Sequence, residues 1–165
     1  MLKTKPYFYC RDYVRGENYN LYLLHFFAPC ENRFDILALM ALHTELHAIP
    51  QKVTDPMMRV IRLKWWMDEI DKIQAGKPYA DSPVLEALSK TLTAHKINFD
   101  DYFDRFGQSL RGEQSDIDEA FYGLLTSVIH DEKSKSRSKF IKKLMHHDRL
   151  EDTKLFRALR MWLGV

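Results

Sequence analysis

The sequence predicts an all-α fold, and three observations carry that prediction. Apolar residues recur at spacings of three and four over long stretches, the repeat of a helix with a buried face. No segment alternates polar and apolar residues as a half-buried strand does. Six glycines and six prolines punctuate the periodic stretches. With 165 residues, 45% of them hydrophobic and 29% charged, the chain has the make-up of a single globular domain over 1–165.

Taken in order, a first helix is expected from Tyr19 to Phe27, closed by Ala28-Pro29. A second runs from near Glu31 to Ile49 and stops at Pro50. Its centre, Ile36 to Leu42, is apolar all round, as in a helix covered from several sides. The third has the clearest start: Asp55 can cap the free amides, and Pro56 suits the first helical position because its missing N–H had no partner to lose. Val60, Leu63, Trp66, Ile70 and Ile73 form one apolar stripe, and Met58, Ile61 and Trp65 a second. This helix, ended by Gly76, is therefore expected to be the most buried element, with Trp65 or Trp66 inside. Further helices are expected over Ser82–His95, Phe99–Leu110 and Ser115–Ile129. A charged stretch, Asp131 to Lys139, reads as an exposed loop. Two short helices follow it, the last carrying Leu155, Phe156, Leu159, Trp162 and Leu163. There is no internal repeat.

A formal net charge of +2 is nearly balanced, and no nucleic-acid partner is expected. Cys10 and Cys30 make neither a disulfide framework nor a metal-type pair. No apolar run approaches the roughly 20 residues that span a bilayer. Met1 to Pro6 lacks the apolar core of a secretory signal, so the expected location is intracellular, in a bacterial cytoplasm or a mitochondrial matrix.

Several stretches carry a resemblance. They are Tyr9-Cys10-Arg11-Asp12-Tyr13-Val14-Arg15, Tyr22-Leu23 through Phe27-Ala28-Pro29 with Arg33, and Leu37 through Leu46. Ile61-Arg62-Leu63-Lys64-Trp65-Trp66-Met67-Asp68 follows, then Gly76-Lys77-Pro78 and Pro83-Val84 leading to Ala87-Leu88. Their order and spacing over 9–88 resemble the squalene/phytoene synthase family, in particular the branch that contains a mitochondrial complex I assembly factor. The likeness is fainter from Asn98 to Ile129 and fades beyond Asp131. The resemblance implies an isoprenoid-synthase-like helical bundle, here shortened, around a central cavity. In catalytic members that cavity joins two prenyl diphosphates, whose departure is assisted by Mg²⁺ held on two aspartate-rich motifs.

Neither motif is intact here. The register of the first reads His43-Thr44-Glu45-Leu46-His47-Ala48-Ile49-Pro50-Gln51, with one acid and no aspartate, and the second has no counterpart. No cofactor is expected, with Mg²⁺ kept for a catalytic alternative that would improvise ligands from Asp100, Asp104, Asp68 and Asp71. Asp100 to Asp104 does spell DDxxD, yet it lies out of register, and acids at a helix start are favoured by the amide dipoles alone. His43 and His47 share a helix face at zinc-compatible spacing, but no third ligand accompanies them. They are read, with Trp65 and Trp66, as core or cavity-lining side chains. His146-His147-Asp148 is a weaker candidate of the same kind. Arg59 and Arg62, one turn apart, are the candidates for holding a diphosphate or an acidic partner, against the simpler role of pairing with acids on a neighbouring helix. The basic run Lys133, Lys135, Arg137, Lys139, Lys142 and Lys143 suits an anionic membrane surface or, more simply, a solvated loop.

Together these observations favour a non-catalytic interaction or assembly protein with a protein partner. The alternatives are a prenyl diphosphate-binding transferase and an isoprenoid- or lipid-binding protein.

Overall fold

The computed structural model describes residues 4–129, all of which belong to one unit, Met1–His130. Among them every regular element is helical: α1 Thr4–Glu17, α2 Tyr19–Leu24, α3 Arg33–His47, α4 Ile49–Lys52, α5 Pro56–Gln74, α6 Pro83–Ala94, α7 Asp100–Leu110 and α8 Ile117–Val128. Two 3₁₀ turns, His25–Phe27 and Cys30–Asn32, join α2 to α3. None of these helices is long and apolar enough to cross a membrane. The loop expected over 131–139, the helices expected beyond it, the basic run from Lys133 to Lys143 and His146-His147-Asp148 lie outside the described residues.

Helix α1 had no counterpart among the expected elements. Tyr and Phe are indifferent helix formers, and Pro6 and Gly16 look like interruptions. Pro6, however, falls in the first turn, where a helix tolerates it, and Pro6, Cys10 and Val14 are buried. The helix packs on α3 and α6, and that burial supplies what intrinsic propensity does not. Burial also pushes the Cys10 thiol up to about 12, while Cys30 is exposed and both are free thiols.

The second expected helix stops at His47, before Pro50. Pro50 instead sits in the first turn of α4, a position that tolerates proline. Helix α5 starts as its sequence predicts, with Asp55 Oδ1 accepting from the Met58 amide at 3.0 Å. It ends at Gly76, whose φ of +66° only glycine adopts readily. There Lys77 N–H donates to Lys72 C=O at 2.8 Å and Gly76 N–H to Ile73 C=O at 3.0 Å, closing the helix end.

The most buried element is α3, not α5. Every residue from Ile36 to Thr44, and Leu46, is buried, because α3 is enclosed by α1, α6 and α8. Helix α5 buries only Leu63, Trp66, Glu69 and Ile70. Its neighbours α6 and α7 cover one side, so Met58 and Ile61 of the second stripe are 52% and 51% exposed, and Val60 of the first stripe and the adjacent Met57 are 44% and 68% exposed. Trp66 is inside as expected, 2% exposed, with its ring edge-on to that of the half-buried Trp65.

Polar ties lock the helices together. Thr91 Oγ1–H donates to Asp35 Oδ1 at 2.9 Å and His95 Nε2 lies 3.2 Å from Asp35 Oδ2, joining α3 to α6. Glu69 receives Lys72 Nζ at 2.6 Å and the Ala80 amide at 2.7 Å, fixing the α5–α6 connection.

Candidate functional site

The C-terminal half of α3 holds the register in which the resemblance places the first aspartate-rich motif. Thr44 turns inward and donates to Met40 C=O at 2.8 Å. His43 is buried: its Nδ1 shares a hydrogen bond of 2.9 Å with Tyr102 Oη on α7, and its ring stacks on Phe121 of α8 with centroids 4.0 Å apart. Burial, reinforced by the neighbouring His47, holds the His43 imidazole well below its ordinary range, so it is neutral. His47 sits at the exposed rim, 4.2 Å from His43 between centroids and edge-on to Phe106. Partial cover lowers its basicity too, opposed by Asp118. The pair is thus walled by aromatic rings.

Glu45, the one acid of this register, is half-buried and lies beside Tyr9 and Tyr13 of α1. Burial raises the phenol pKa values of Tyr9 and Tyr13, and the charge of Glu45 raises them further. Those two rings stack with centroids 5.9 Å apart.

The two arginines do not form a clamp. Arg59 Nε donates to Val53 C=O at 2.7 Å and Nη2 to Pro50 C=O at 3.4 Å, so its guanidinium closes the C-terminal end of α4. It is committed to its own backbone, neither to an anion nor to a neighbouring acid. Arg62 is exposed and lies over the Trp65 ring at 4.5 Å. Asp100, Asp104, Asp68 and Asp71 are all exposed, and Asp68 is paired with Lys64 at 2.8 Å. Among the described residues no three His, Cys, Asp or Glu side chains converge closely enough to hold a metal ion. A surface pocket of about 610 Å³ lies by the α6–α7 connection, between Gln74 and the stretch from Leu92 to Asn98. No carboxylate and none of the predicted site residues lines it.

Two features escaped sequence reasoning. Tyr102, the partner of His43, reads in sequence as one aromatic in an amphipathic helix. Asp35, 56 residues from Thr91 and 60 from His95, gives no local sign of either contact.

The family model of squalene/phytoene synthase matches residues 14–122, about two thirds of the chain. The chain belongs to the squalene/phytoene synthase family. This agrees with the stretch of resemblance read from the sequence and with the all-α architecture. Among curated proteins, the chain is 29% identical over 89 residues to NADH dehydrogenase (ubiquinone) complex I, assembly factor 6 of Bos taurus, and 27% identical to that of Homo sapiens. The Drosophila melanogaster homolog is 32% identical over 95 residues. Each match covers 54% of this chain, and the chain spans about a quarter of the relatives' length, 26% for the bovine protein. No solved structure matches. The Mg²⁺ that catalytic family members employ does not fit these residues: the first-motif register offers Glu45 alone, turned toward two tyrosines, where a metal pair needs several convergent oxygens.

Proposed function

We propose that this family member is a non-catalytic interaction protein that assists the assembly of respiratory complex I. Its site of action would be intracellular, in a bacterial cytoplasm or a mitochondrial matrix. The observation that carries the proposal is the fate of the first-motif register. Ionising a prenyl diphosphate requires concentrated positive charge at the leaving oxygens, and metal ions on clustered carboxylates supply it. Here the register is occupied by the packed His43, by His47 at the exposed rim and by a lone Glu45. The printed names of the relatives support the assembly role.

Two experiments test the halves of this reading. Deleting the gene in its own organism should lower the amount of fully assembled complex I on native gels, with recovery on re-expression; unchanged complex I overturns the assembly role. The purified chain should release no pyrophosphate from farnesyl or geranylgeranyl diphosphate with Mg²⁺ present. Turnover that Asp100→Ala and Asp104→Ala abolish overturns the non-catalytic role.

A further inference from the structure

The side of α5 turned away from α6 and α7 carries Met57, Met58, Ile61 and Trp65. Positions 57, 61 and 65 lie four apart, and 58 stands one turn before 61 and two before 65, so the four share a face at the period of the helix. Met57, Met58 and Ile61 are each more than half exposed, and Val60 at the border is 44% exposed. Single apolar residues scattered over a surface mean little, but several large ones on two consecutive turns of a single helix form a patch. The spacing of three, four and seven is that by which one helix grips another.

Charge within the patch itself has one sign. From Pro56 to Trp65 the charged residues are Arg59, Arg62 and Lys64, all cations, and exposed Lys52 adds another at the end of α4. Asp55 is held by the Met58 amide, Arg59 by the α4 carbonyls, and Lys64 by Asp68. Arg62 meets no carboxylate among the described residues. Its guanidinium is laid over Trp65, which leaves its planar fork at the border of the apolar stripe, positioned for an incoming carboxylate.

We propose that this face of α5 docks an acidic amphipathic helix of a protein partner, with apolar side chains on Met57, Met58, Ile61 and Trp65 and a carboxylate on Arg62. The proposal deepens the assembly-protein reading and rests on it for the partner's role. An anionic bilayer fits less well, because such surfaces recruit clusters of about four to eight free cations, whereas here Arg59 is held by backbone carbonyls and Lys64 by Asp68. A second copy fits less well too, since it would bring one cationic border against another. Methionines suit the task, being unbranched and able to adapt to a partner's side chains.

The test selects helical peptides from a randomised display library on the intact full chain. Enriched peptides should carry apolar residues at i, i+3 or i+4 and i+7, bordered by Glu or Asp. The best peptide should bind about tenfold or more weakly to Ile61→Asp and to Arg62→Glu, and a peptide with Lys in place of its Glu should recover binding to Arg62→Glu. Both positions are exposed, so thermal melts should match the parent. Selection of no peptide, enrichment of basic peptides, or binding indifferent to both replacements overturns the proposal. So does Ile61-dependent binding to vesicles of phosphatidylcholine and phosphatidylserine, which would identify a lipid surface. Self-association lost in Ile61→Asp would identify a second copy and equally overturn it. The two readings fail separately. If Ile61→Asp restores complex I in the deleted strain as well as the parent does, docking falls alone. If the peptides behave as described while deletion leaves complex I unchanged, the assembly role falls alone.

Discussion

Replacing His43 tests the packed state of the α3 register most directly. The imidazole is buried and stacked on Phe121, bonded to Tyr102 Oη and beside His47, and burial holds it neutral. In the unfolded chain it titrates near its ordinary value of about 6.5. Because the folded value is depressed, the unfolded state binds the extra proton first as pH falls, so stability rises with pH through this window and is lost on acidification. The limit, reached if the buried ring stays neutral throughout, is a loss of about 1.4 kcal/mol from this one group between about pH 7.5 and 5.5. His25 and His47, whose basicity burial also lowers, tilt the curve the same way. His43→Phe keeps an aromatic ring against Phe121 but leaves the Tyr102 hydroxyl unpartnered, at about 1–3 kcal/mol at every pH. The double variant His43→Phe/Tyr102→Phe should regain much of that. Urea unfolding followed by tryptophan fluorescence at three pH values is the assay. Both variants should lose less stability on acidification than the parent, by up to about 1.4 kcal/mol. An equal slope in parent and variants would refute the claim that His43 is buried and neutral.

Trp66→Ala should cost about 3–5 kcal/mol in denaturant melts, and Trp65→Ala clearly less, since only Trp66 is enclosed. Trp66→Phe should be far milder than Trp66→Ala, because the indole N–H has no acceptor among the described residues to lose; equal losses would contradict that packing. Glu69→Ala should cost about 1–3 kcal/mol at neutral pH by stranding the Ala80 amide. The bonds from Lys72 and then Ala80 hold the Glu69 carboxyl below its ordinary range. Its contribution is therefore present above the unfolded carboxyl value and lost as pH falls through the folded one, so the gap between parent and variant should close in acid. Asp55→Ala should cost about 1 kcal/mol through the lost cap, read as a shift in the urea midpoint.

The reading of the candidate site was legible in part. The failure of the first-motif register at 43–51 is a matter of residue identity, visible without coordinates. That Arg59 binds the end of α4 instead of an anion was not, because the acceptors are backbone carbonyls of Pro50 and Val53, which sequence leaves anonymous.

What the sequence determined by itself are the features set by neighbours in the chain. The helical class follows from the apolar period. The start of α5 follows from Asp55-Pro56 and its end from Gly76, because caps and left-handed glycines act within one turn. α6, α7 and α8 fall within two residues of their expected bounds. Only the tertiary structure decided which apolar stripes are covered. Two stripes on α5 predict burial on both sides, yet its neighbours α6 and α7 cover only one, leaving Met57, Met58 and Ile61 in solvent, while α3 is enclosed by three helices. It likewise made a helix of Thr4–Glu17, whose residues favour one weakly, by burying Cys10 and Val14 against α3 and α6. Burial depends on what the distant chain brings alongside, and no local pattern encodes that.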